Sequence, residues 1–145
     1  MSSLENFLSI KDEEDIIQAI RDAESKTSGE IRVHIEKNYT GDAYNHAIEV
    51  FHFLKMDNTK FSNAVLIYIA VDKKSFVIYG DKGIHDKVKD AFWNSVKDKI
   101  AYHFKTGHFK EGIIEGVKEI GTTLSQYFPW KYGDYNELEN TISKS

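Results

Sequence analysis

Eight side chains that could hold a hard cation fall in three short stretches: Glu30; Asp57, Ser62 and Asn63; and Asp81, His85, Asp86 and Asp90. Oxygen donors of this kind, with no thiolate among them, suit calcium or magnesium rather than zinc. Capping accounts for some of the same residues without any ligand. An aspartate such as Asp81 or Asp86 near a helix start satisfies free backbone N–H groups and complements the helix dipole. Gly80 and Gly83 form a Gly-x-x-Gly between a strand and a helix, which leaves a helix N-terminus open to an anion. The sequence has neither Gly-x-Gly-x-x-Gly nor a phosphate-binding Gly-x-x-x-x-Gly-Lys-Ser/Thr, and a tight turn explains both glycines.

Other chemistries are excluded by residue type and spacing. The chain has no cysteine, so thiol nucleophiles, disulfides, zinc fingers and iron–sulfur clusters are ruled out. The six histidines form no His-Glu-x-x-His and no i, i+4 pair, so no catalytic zinc site is predicted. His34, beside Arg32, reads as a packing residue under a helix. There is no Gly-x-Ser-x-Gly elbow for a serine nucleophile. Phe51 with Phe53 and Phe92 with Trp93 read as core.

The elements that must position these groups follow from periodicity. A helix starts near Ser9, where Ser9 and Asp12 fit a capping box, and Ile16, Ile17, Ile20 and Ala23 recur at helical spacing until Thr27-Ser28-Gly29. Leu4, Phe7 and Leu8 suit a preceding turn or small helix. Glu30–Glu36 alternates, with Ile31, Val33 and Ile35 on one face and Glu30, Arg32, His34 and Glu36 on the other, which predicts a strand. Thr40-Gly41-Asp42 caps a second helix carrying Ala43, Ala47, Val50, Phe51 and Leu54. Residues 64–71 are apolar on both faces, as a central strand requires. Asp72-Lys73-Lys74 turns into a hairpin partner over 75–79. A third long helix is predicted from about His85 to Lys105, with Val88, Phe92, Val96, Ile100 and Phe104 every four residues. A fourth runs from Phe109 to Phe128 and ends at Pro129. Trp130, Tyr132 and Tyr135 begin a tail with a docked start and a frayed end.

A strand–helix–strand unit is parallel and right-handed, and the tight turn makes the third strand antiparallel to the second. The predicted fold is therefore α/β: a small mixed sheet of three to four strands flanked by about four helices. This topology gathers residues 27–30, 58–63 and 80–90 at one rim, where the eight candidate side chains converge.

With 145 residues, 41% hydrophobic and 29% charged, the chain suits one globular domain. Nineteen basic against 23 acidic side chains give a net charge of −4, which argues against a nucleic-acid partner. The charge is uneven. Residues 1–30 hold three basic and eight acidic side chains (−5), whereas 73–110 hold nine lysines and four aspartates (+5). The lysine-rich stretch offers a face for an acidic partner or a phosphate, or a solvated helix surface. The N-terminus has no signal-peptide pattern and no window has the roughly 18 apolar residues of a membrane span, so the chain is expected to be cytoplasmic and soluble.

The order of Asn63-Ala-Val-Leu-Ile-Tyr-Ile, Gly80-Asp-Lys-Gly-Ile and Phe104-Lys-Thr-Gly-His-Phe-Lys-Glu-Gly112 resembles the TPM-domain family, named for a thylakoid-lumen protein, a photosystem II repair protein and a modulator of acetylcholine receptors. Ser62-Asn63-Ala64 stands at the family's Asp-Asn-Gly, Gly83-Ile84-His85 at its Gly-Leu-Glu, Asp90 at a later Asp, and Gly107-His108-Phe109 at its Gly-Asp-Tyr. Ser28-Gly29-Glu30-Ile31 is similar to the start of its first strand. The resemblance spans residues 9–129, marking 1–129 as a single domain with 130–145 as a tail, and suggests a short, cytoplasmic, bacterial-like member. It implies an α/β sandwich. Some members look like acid phosphatases with a divalent cation at the acidic rim, and others like assembly factors or modulators. Three family carboxylates are replaced here, by Ser62, His85 and His108, which weakens a hard-cation site. Two readings result. The first is a non-catalytic interaction or regulatory module that meets a protein partner through the rim or the lysine-rich third helix. The alternative is a phosphomonoester hydrolase dependent on Ca2+ or Mg2+ held by Asp81, Asp90, Asn63 and Glu30. No residue is assigned as catalytic.

Overall fold

The computed structural model describes residues 7–130 and 142–144. Its elements are α1 (Ile10–Glu24), β1 (Glu30–Glu36), α2 (Ala43–Phe53), β2 (Ala64–Ala70), β3 (Ser75–Gly80), α3 (Lys82–His85), α4 (Asp90–Lys105), α5 (Phe109–Tyr127) and β4 (Ile142–Lys144). The sheet order is β3-β2-β1-β4. β1 and β2 are parallel, with Glu30 beside Ala64 and Glu36 beside Ala70. β3 returns antiparallel, with Gly80 beside Val65. This is the predicted mixed α/β sheet, with four strands and five helices among the described residues.

β2 is buried along its whole length because both faces are covered. Val65, Ile67 and Ile69 join Ile31, Val33 and Ile35 against α1, α4 and α5. Ala64, Leu66, Tyr68 and Ala70 face Ala47, Val50 and Phe51 of α2. An interior strand apolar on both sides is what such a two-sided cover demands. α1 is fixed by its cap: Ser9 Oγ accepts from Asp12 N at 3.0 Å and Asp12 Oδ2 accepts from Ser9 N at 3.2 Å. The Asp42 side chain caps α2 in the same way, accepting from Asn45 N at 2.9 Å.

Four expectations are corrected. The third long helix starts at Asp90, not His85; the short α3 precedes it, and Asp86 closes α3 as its C-cap instead of opening a helix. Phe53 is 80% exposed while Phe51 is fully buried. Residues two apart on a helix point in nearly opposite directions, so the two cannot share a face. The far end of the tail, expected to fray, includes β4, which lies parallel to β1 with Val33 beside Ile142. Leu4, Tyr132 and Tyr135 lie outside the described residues. No helix among the described residues is long and apolar enough to cross a membrane.

Candidate functional site

The three segments do meet at one end of the sheet. Glu30 N donates to Asn63 O at 3.4 Å, Asp81 N to Ala64 O at 3.0 Å, and Gly83 N to Ser62 O at 2.9 Å. Asn63 Nδ2 donates to Ser28 Oγ at 3.3 Å. Glu30, Asn63 and Asp81 are buried, whereas Asp90, His85 and Asp86 are exposed. Asp57, also exposed, pairs with His52 at 3.0 Å. Thus three of the four candidate ligands lie in the wall of the rim, and Asp90 stands outside it in the first turn of α4.

Asp81 is used as a cap: its Oδ1 accepts from Lys82 N at 2.8 Å. Its Oδ2 and Asn63 Oδ1 are buried without a hydrogen-bond partner. Two such oxygens are what a cation would satisfy. Even so, among the described residues no three His, Asp or Glu side chains converge closely enough to hold a metal ion. No chemical step is derived through a cation at the rim.

A residue outside the sequence reading, Glu24, changes the character of the wall. At 3% exposure it lies against Glu30, itself at 2%. Its Oε2 accepts from Ile31 N at 2.7 Å. Burial, and then the Glu30 charge, push its pKa up to about 9, and the two carboxyls are hydrogen-bonded to each other. Two buried carboxyls in contact cannot both ionise, so one proton is retained between them. Glu24 was legible in principle: it continues the Ile16, Ile20 stripe at four-residue spacing, and an acid in the last turn of a helix opposes the helix dipole.

The sign of the pH effect follows. A carboxyl whose folded pKa lies above its unfolded value stabilises the fold fully below about 4.5, and that contribution is lost as pH rises through about 9. His34, whose pKa is lowered chiefly by burial, stays neutral above its ordinary range, so pH 7 to 9 isolates the Glu24 effect. The parent melting temperature is expected to fall from pH 7 to pH 9. Glu24→Gln keeps an oxygen for Ile31 N–H and a donor for Glu30, and should flatten that fall. Parallel curves for the two proteins would show that Glu24 does not hold the proton.

Outside the wall the rim is basic and aromatic. Lys26, Lys60, Lys82, Lys87 and Lys89 are exposed there. Lys87 Nζ lies 4.8 Å from the centre of the Phe128 ring, and Lys60 Nζ 5.2 Å from that of Phe61. Phe61 and Trp130 are each 42% exposed, and Trp130 N is bonded to Lys26 O at 3.2 Å. A separate groove of about 700 Å³ lies between α1 and α5, lined by Asp15, Asp22, Lys118 and Ser125 among others. None of the candidate ligands lines it.

The family model described as TPM domain (TPM_phosphatase) matches residues 1–123. The NMR structure of BA42 protein from the psychrophilic bacterium Bizionia argentinensis is 55% identical, with a TM-score of 0.91 over 96% of each chain. The N-terminal domain of a protein from P. gingivalis is 20% identical, with a TM-score of 0.68 over 84% of this chain and 79% of its own. The N-terminal domain of cg2496 protein from Corynebacterium glutamicum is 13% identical, with a TM-score of 0.65 over 90% of this chain and 84% of its own. The last two show a shared fold alone. No curated protein matches the chain.

Proposed function

The chain belongs to the TPM-domain family, and on that premise we propose that it is a non-catalytic interaction or regulatory module whose rim meets an acidic protein partner. One observation carries this reading: Glu24, Glu30 and Asp81 are buried in the rim wall, while the exposed rim carries more lysines than carboxylates. Asp81 caps α3, Glu24 and Glu30 share a proton in the wall, and Asn63 ties the β2 start to Ser28. The outer surface presents Lys26, Lys60, Lys82, Lys87 and Lys89 beside Phe61 and Trp130, against the exposed Asp86 and Asp90. Exposed aromatics next to cations suit a partner that offers carboxylates and apolar contact together. The exposed lysines Lys97 and Lys105 of α4 add positive charge beyond the rim.

A cytoplasmic setting and the lack of a nucleic-acid partner belong to the same proposal, the second supported by the net charge of −4. The alternative, a divalent-cation-dependent hydrolase of phosphomonoesters, draws on Asn63 Oδ1 and Asp81 Oδ2, on Glu30 and Asp90 as further oxygen donors, and on the word phosphatase in the family model's name.

Binding of poly-glutamate tests the docking surface. The parent protein is expected to bind it with an affinity that falls as salt rises. The triple variant Lys82→Glu, Lys87→Glu, Lys89→Glu should bind about tenfold or more weakly at low salt while melting normally. Equal binding by the two proteins would remove the rim as the docking surface.

A further inference from the structure

A cavity of about 150 Å³ opens at the end of β2 opposite the rim, where the strand runs into its turn. Phe7, Ile69, Val71, Phe104 and Phe109 line it with the Ala70 segment, and Lys74 is its charged member. The aromatic walls brace one another. Phe109 contacts both Phe7 and Phe104, with 4.6 and 5.3 Å between ring centres, and Phe104 meets Phe76 edge-on at 5.4 Å. Ile69 is buried in the main core and Val71 packs against that core.

The charge beside this apolar space is positive. Lys74 closes the β2–β3 turn: its N–H donates to Val71 O at 3.2 Å, and its φ of 50° is uncommon for a residue other than glycine. The turn thus holds a cation next to the cavity in a conformation that favours other residues. Lys74 is exposed and forms no ion pair with any described residue. Its neighbour Lys73 is occupied, donating to Tyr39 O at 2.9 Å and lying 3.8 Å from the centre of the Tyr39 ring. Lys105, which follows Phe104, is exposed as well, whereas Lys110, which follows Phe109, is held by Asp15 at 3.4 Å. No carboxylate lines the cavity, and Asp72 of the turn is not part of its wall.

An apolar cavity of about this size stays dry and takes up a ring the size of benzene. In such sites a single well-placed polar group fixes the orientation of the ligand. We propose that the cavity binds a free, small carboxylic acid carrying one aromatic ring, with the ring among Phe7, Phe104 and Phe109 and the carboxylate on Lys74. The site lies at the far end of the sheet from the rim, and either proposal can fail without the other.

Phenylacetate titrated into the full-length protein, followed by amide shifts at Val71, Lys74, Phe104 and Phe109, tests the site. Saturable shifts centred there are expected. Phenylacetamide, similar in size but neutral, should bind about fivefold more weakly at low salt, the margin that a surface ion pair supplies. Lys74→Glu, at an exposed position, should keep the parent's circular dichroism and reverse the preference, so that benzylamine binds about fivefold more tightly than phenylacetate. Val71→Phe, which fills the cavity, should abolish binding of all three compounds; if that variant does not fold, the charge reversal carries the test alone. No saturable shift in the parent, shifts centred at the rim, or a preference for the acid that survives in Lys74→Glu overturns the proposal. N-acetylphenylalanine presents the same ring and carboxylate on a peptide arm and should bind more weakly than phenylacetate. Tighter binding would assign the cavity to the C-terminus of a partner chain and overturn the free-acid reading.

Discussion

Gly83→Ala should cost about 3 kcal/mol or more, at the upper end of what overpacking does. The new Cβ would lie 2.2 Å from the carbonyl oxygen of Phe61 and 2.5 Å from that of Ser62. Both are backbone atoms, so no rotamer change relieves the contact. Gly83 N–H also donates to Ser62 O at 2.9 Å, and Ser62 already sits at φ 51°. The loop can therefore neither retreat nor stay. Because Asn63 follows this loop and Asp81 caps the helix that contains Gly83, the same change should open the rim. Gly107→Ala is the control: φ there is 80° with nothing within 4 Å of the added atom, so only backbone strain of about 1–2 kcal/mol is expected. Urea unfolding of the two variants reads the difference. A loss at Gly83 no larger than at Gly107 would mean that the loop and α3 are not in close contact.

Glu36→Ala should cost about 3 kcal/mol through a polar network at the opposite end of β1. Tyr68, fully buried, donates its hydroxyl to Glu36 Oε2, and its pKa is raised by burial and then by that carboxylate. His46 Nε2 lies 2.7 Å from the same oxygen, and Tyr39 stacks on His46 with 6.1 Å between ring centres. Removing Glu36 leaves a buried phenol and an imidazole without their acceptor, which costs more than the bonds were worth. Tyr68→Phe removes donor and need together and should cost only about 1 kcal/mol. The double variant should therefore lose less than the two single losses added, and full additivity would show the two side chains to be energetically independent.

Local pattern made most of the scaffold readable. β1 coincides with the predicted Glu30–Glu36 because seven residues alternate strictly, and β2 was legible because nothing polar interrupts it. The convergence of the rim followed from two topological rules, the parallel crossover and the antiparallel return through a tight turn. What stayed hidden depended on tertiary contacts. Ile84, Val88, Phe92 and Val96 keep a four-residue repeat straight through the break between α3 and α4, so periodicity could not show it. β4 is three residues long, too short to carry a period. In the candidate site, topology placed Asp81 and Asn63 at the rim and the position of Asp81 before a helix marked it as a cap, but neither could reveal that its second oxygen is buried. The burial of Glu24 against Glu30 arises only when the end of α1 folds over the start of β1.

Hydrolysis of a simple phosphomonoester, measured with added calcium and with added magnesium on the parent and on Asp81→Ala, tests most directly whether the rim binds or reacts. A module whose buried acids are committed to capping and to a shared proton should show no turnover above buffer with either cation, and none that Asp81→Ala removes. Cation-dependent turnover that disappears in Asp81→Ala would contradict the interaction-module reading and make the rim a hydrolytic site.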